Sequence, residues 1–322
     1  MNQLESTEKP AFCFKDEFSD LLALYDKPDI TRKEVKEILD NHSERYGRLG
    51  FKELENPVEI FYNHLHKISE EHRQDERKFL LDISSVETND ALVSGINKAR
   101  TFFPGNLLDP KPVLFFCGPG TNAKVLENGE FGINLCNLFE RVYKPDERKY
   151  DIEDVRARIE SLSMHESTHI FSYQLEGDKQ KVRSLVHVAF GEGLATFVEE
   201  RHHTWHDDYV NDSEFFIDVV KKAVRPDSQE VMRDTLQEIT TSKTMERHYP
   251  KAINLIEKRL LNPKTIDGKE FNSLINMALI NRNGPLYHLG YKLWEDIYKE
   301  GGIEAVKKKI LEGPKSFEKY FL

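Results

Sequence analysis

A chain of 322 residues is long enough to bury a sizeable core and carries a prior of about two domains. Forty-six Lys and Arg against 56 Asp and Glu leave a formal net charge of −10, which argues against a diffusely basic surface for nucleic acid or anionic lipid. Twenty Phe, 12 Tyr and 2 Trp argue against a disordered chain, and apolar runs of about five residues, as in Val113 to Cys117, are far short of the roughly 18 of a membrane span. Met1 to Pro10 has neither the basic head nor the apolar stretch of a secretory signal, so a cytoplasmic protein is expected. The three cysteines, Cys13, Cys117 and Cys136, are odd in number and widely spaced; they read as small buried apolar residues, with no disulfide framework and no Cys-ligated zinc.

From Phe12 to about Lys78 the pattern is helical, and Thr31-Arg32-Lys33-Glu34 predicts a capping box ahead of Val35, Ile38 and Leu39. His64 and His66 are alternate residues and do not share a helix face. Glu70 to Lys78 reads as a solvated helix face or turn. A helix over Asp90 to Phe103 is followed by seven Pro and Gly residues between Pro104 and Gly120, around a strand at Val113 to Cys117. This crowding marks the expected boundary between an N-terminal, mainly helical region, 1–110, and a catalytic region, 111–322. Cys117-Gly118-Pro119-Gly120-Thr121 lacks the Gly-Lys-Ser/Thr of a phosphate loop and reads as a turn. A strand over about Phe131 to Asn137 comes next and is expected to be an edge on which an extended peptide can lie. Helices then follow from Asp151, over about Phe190 to His203, and over Leu286 to Tyr298 and Ile303 to Leu311.

The chemistry is concentrated in His165-Glu166-Ser167-Thr168-His169. Residues four apart stand one turn above each other, so both imidazoles project from one helix face and can bind one ion. Glu166 lies about 100° round the helix, where its carboxylate can reach a metal-bound water without ligating the metal. A hydrolytic zinc site needs a third protein ligand. Glu192, in Gly191-Glu192-Gly193-Leu194-Ala195, opens an apolar helical run, and the flanking glycines would let backbone approach the first helix closely. Glu176 and Asp178 belong to a polar turn, and His187, in an apolar run, reads as a core histidine. His202, His203 and His206 read as a solvated helix end.

The pairing of His165-Glu166-x-x-His169 with Glu192-Gly193-Leu194-Ala195 resembles the gluzincin metallopeptidases, particularly the peptidase MA-like domain family. The likeness covers about Glu160 to Leu311 and includes Tyr287-x-x-Gly290-x-x-Leu293 and Gly301-Gly302 before a final helix. It implies an α+β, mostly helical, zincin-like fold with a small sheet before the active-site helix, one Zn2+ held by His165, His169 and Glu192, and Glu166 as general base. Tyr287 is the first choice for a donor to the developing oxyanion, with His248, Tyr249 and Tyr291 behind it; Glu199 stands where a carboxylate can orient a ligand histidine, or pair with Arg201 or Arg183. Two departures stand out. The 22 residues between His169 and Glu192 exceed the spacing in the related aminopeptidases, and their Gly-x-Met-Glu-Asn amine-binding motif is missing. The expected activity is therefore zinc-dependent endopeptidase cleavage of a peptide or protein substrate, with a non-catalytic polypeptide-binding protein carrying a structural or relict zinc as the alternative. The oligomeric state is not legible.

Overall fold

The computed structural model describes residues 18–42, 57–84, 86–116, 123–126, 129–176, 185–202 and 285–320. The expected turn at Cys117 to Thr121, and Cys13, His203, His206, His248 and Tyr249, lie outside them. The described chain is α+β and mostly helical, with one three-stranded mixed sheet. No described helix is long and apolar enough to cross a membrane. The chain divides into two compact units, Met1–Asn97 with Leu108–Ile170, and Lys98–Leu107 with Phe171–Leu322.

The first unit opens with α1 (Ser19–Leu24), α2 (Arg32–Asn41), α3 (Pro57–Lys67), α4 (Glu70–Asp82) and α5 (Val86–Arg100, up to Asn97). The capping box forms as predicted: Glu34 N–H donates to Thr31 Oγ1 at 3.3 Å, and Thr31 N–H donates to Glu34 Oε2 at 2.9 Å. Phe18, Tyr25, Phe61 and Phe116 pack as one aromatic cluster in the core. The charged stretch Glu70 to Lys78 is helical, as one reading of it expected, but it is not wholly solvated. Arg73 and Glu76 share a buried face with Phe79 and Leu80. Burial is tolerated in part because most of these polar atoms are paired. Arg73 donates to the Lys27 and Leu65 carbonyls, both at 2.7 Å, and His64 Nε2 pairs with Glu76 Oε2 at 2.8 Å.

The sheet comprises β1 (Lys111–Phe115), β2 (Ala123–Val125) and β3 (Glu130–Asn134), in the order β1-β3-β2. β3 is parallel to β1 and antiparallel to β2, with Gly132 opposite both Val113 and Lys124. The expectation of a peptide-binding edge at Phe131 to Asn137 is thereby overturned, because both sides of this strand already bond to neighbours. The strand also ends early. Asn134 Oδ1 accepts from Cys136 N–H at 3.2 Å and caps α6 (Leu135–Val142), which carries Leu135 to Val142 out of the sheet. α7 (Ile152–Glu176) then leads to the metal motif.

The second unit contains the remainder of α7, α8 (Leu185–Glu200), α9 (Pro285–Glu312) and a short 3-10 stretch, Pro314–Tyr320. α9 is broken at Gly301–Gly302, where Gly302 takes φ 63°, a backbone conformation that favours glycine. Fully buried Trp294 fixes α9 on α8, donating Nε1–H to the Phe190 carbonyl at 2.9 Å and meeting the Phe190 and Phe317 rings. Phe102 and Tyr298 close on Phe197 of α8, with ring centroids 5.7 and 5.6 Å away.

Candidate metal centre

α7 changes character along its length. Val155 and Ile159 are buried at i, i+4 spacing, whereas every residue from Ser161 to Ser172 is buried. A helix covered all round must present small residues to its neighbours, and this stretch is rich in Ser and Thr. Ser163 Oγ donates to the Leu92 carbonyl of α5 at 2.7 Å, and Thr168 Oγ1 donates back to Met164 O at 2.9 Å. Gly95 on α5 supplies the closest approach. A Cβ there would stand 2.4 Å from Glu160 O and 2.9 Å from Met164 N. These contacts hold the turn immediately before His165, and sequence reading missed them; the glycine inside a helical pattern was the available signal.

α8 begins at Leu185, five residues earlier than expected, so Glu192 lies in mid-helix and is no helix-terminal carboxylate. Gly193 also plays a part that the sequence did not predict: it lies against α9. A Cβ on Gly193 would come within 2.3 Å of Gly290 Cα, and one on Gly290 within 2.1 Å of Ala189 O. The small residue three positions after Tyr287 does let its helix approach another, as its sequence suggested. The contact fixes the rotation of α8 one residue beyond Glu192.

The His165 and His169 side chains are 4% and 7% exposed, and their Nε2 atoms stand 3.3 Å apart. Two nitrogens each about 2.05 Å from one tetrahedral ion would be separated by about 3.3 Å. The donor atoms of His165, His169 and Glu192 all lie within 4.8 Å of one another, with Glu192 half-buried. Two imidazoles and one carboxylate are a donor set that zinc accepts, and three donors are one fewer than a closed structural zinc site uses. Glu166 is 7% exposed and Glu199 2% exposed. His187 is half-buried on α8 and does not belong to this donor group among the described residues.

The remaining candidates separate. Tyr287 lies in the first turn of α9, and its side chain is outside the described residues. Tyr291 is half-buried, donates to Glu295 Oε1 at 3.5 Å, and has its phenol pushed up to about 12 by burial and by the charges of Glu295 and Glu200. His202 is exposed beside the Phe102 ring. Two further groups were not anticipated: the hydroxyls of Ser167 and of Thr196, one turn past Glu192, are buried without a hydrogen-bond partner.

Two buried imidazoles one turn apart and a carboxylate oxygen in the same group are side chains that could hold a metal ion. The family model described as "Putative zinc dependent peptidase (DUF5700)" matches residues 16–321, and the chain belongs to that family. No curated protein and no solved structure matches it.

Proposed function

We propose that His165, His169 and Glu192 hold a zinc ion and that the protein is a gluzincin-type endopeptidase acting on peptide or protein substrates. The observation that carries this reading is the 3.3 Å separation of the His165 and His169 Nε2 atoms, with a Glu192 oxygen in the same group. Bound zinc supplies a water acidic enough to act as a nucleophile near neutral pH and polarises the scissile carbonyl. Glu166 accepts the attacking water's proton and returns it to the leaving amine, so that nitrogen departs as a neutral group. Tyr287 donates its hydroxyl hydrogen to the carbonyl oxygen as charge gathers there. Glu199 orients a ligand imidazole and keeps its metal-binding nitrogen directed at the ion. The Gly-x-Met-Glu-Asn motif with which the related aminopeptidases hold a free amine is missing, and this supports endopeptidase rather than aminopeptidase action.

Glu166→Gln provides the test. The variant is expected to retain zinc at His165, His169 and Glu192 while losing hydrolysis of a peptide library. Undiminished hydrolysis would remove Glu166 from its role, and a wild-type protein that holds zinc here but cleaves no peptide would favour the binding-protein alternative.

A further inference from the structure

A second group of ligating side chains lies within the first unit. His64 on α3, Glu76 on α4 and Cys136 on α6 each direct one donor atom into a common space, with all three atoms within 4.8 Å of one another. All three residues are buried: His64 is 6% exposed, and Glu76 and Cys136 are 0% exposed. Tyr25, also 0% exposed, brings its hydroxyl to 3.9 Å from Cys136 Sγ, so a fourth polar atom stands beside the sulfur.

An ordinary buried ion pair explains only part of this cluster. His64 Nε2 meets Glu76 Oε2, but Glu76 Oε1 is buried with no hydrogen-bond partner. A carboxylate oxygen deprived of both water and a donor is costly, and a native core rarely leaves one so. The position is unusual as well. Glu76 sits on the apolar face of α4 between Arg73 and Phe79, where a hydrophobic residue would pack at no electrostatic cost. A divalent ion answers both features, since it gives the carboxylate a partner and carries the charge that burial opposes. Thiolate and carboxylate together bring −2, an ion brings +2, and the imidazole is neutral, so the filled site is uncharged.

We propose that His64, Glu76 and Cys136 form a second, structural metal site for zinc, distinct from the one at His165 and His169, which staples α3, α4 and α6 together. Sulfur, imidazole nitrogen and carboxylate oxygen form a borderline-soft donor set, which suits zinc and discriminates against magnesium and calcium. Burial of all three residues leaves no place for substrate, and the Tyr25 hydroxyl lies on the side where a fourth ligand is needed. The site's function is to add folding free energy, as structural zinc does.

The test uses the full chain carrying His165→Ala and His169→Ala, so that failure of the proposed catalytic site and failure of this one are read separately. Loaded with zinc, this protein is expected to retain about one equivalent and to unfold at a higher temperature than after chelation. Loaded with cobalt, it is expected to show thiolate-to-cobalt charge-transfer absorption, which Cys136→Ala abolishes. Glu76→Gln, close in shape to the native residue, is expected to lose the zinc equivalent and serves where Cys136→Ala does not fold. Absence of retained zinc or of the thiolate band in the double variant overturns the proposal, as does a band that survives Cys136→Ala.

Discussion

The two His-containing clusters differ in softness and in access, and the difference separates the two uses proposed for one kind of ion. At His165, His169 and Glu192 the donors are nitrogen and oxygen, and Glu192 is half-buried. At His64, Glu76 and Cys136 a sulfur joins them, every member is buried, and a tyrosine hydroxyl stands beside the sulfur. A three-donor set with a half-buried member leaves access for a water and a carbonyl, whereas a set buried throughout, with a tyrosine hydroxyl beside its thiolate, leaves no way in for substrate. A catalytic reading of the first cluster and a structural reading of the second follow from that contrast.

The strongest way to break the contrast acts on catalysis alone. Glu166→Gln should lower peptide hydrolysis by about 10²–10⁴-fold with zinc content unchanged, measured by steady-state cleavage and metal analysis. Next come the glycines that seat the helices. Gly95→Ala and Gly193→Ala each direct a Cβ at backbone 2.3–2.4 Å away, and should cost about 3 kcal/mol of stability in chemical denaturation, with hydrolysis falling as the helices shift. Trp294→Phe keeps the ring packing but removes the indole hydrogen bond to the Phe190 carbonyl, an expected loss of about 1 kcal/mol in the same measurement.

The smallest effect is remote from both clusters. Thr31→Ala should cost about 1 kcal/mol at neutral pH through loss of the α2 cap. Glu34 is held at about 2 by its hydrogen bond from Lys27 and then by those from Thr31. A carboxyl lowered on folding contributes stability that is complete above its unfolded value of about 4.3 and is lost as pH falls toward 2. The variant's stability should therefore fall less steeply than wild type over that acid range, in denaturation curves taken at successive pH values.

Local spacing made part of this molecule legible. The i, i+4 histidines, the capping box at Thr31 and the break at Gly301–Gly302 depend on neighbours along the chain, and all appear in the structure. What depended on pairing across the chain was not legible. Nothing in Gly191-Glu192-Gly193 says that Gly193 meets Gly290, and a three-residue β2 gives no periodicity from which to foresee β3 bonded on both sides. Glu76 is the sharpest instance. In a run of alternating charges it reads as solvated, and only the approach of His64 and Cys136 from other helices reveals a core position.

The most direct measurement is anomalous scattering at the zinc edge from crystals of the zinc-loaded full chain. The account predicts a zinc peak bonded to the Nε2 atoms of His165 and His169 and to a Glu192 carboxylate oxygen. Zinc-loaded crystals with no peak at those three side chains would contradict it.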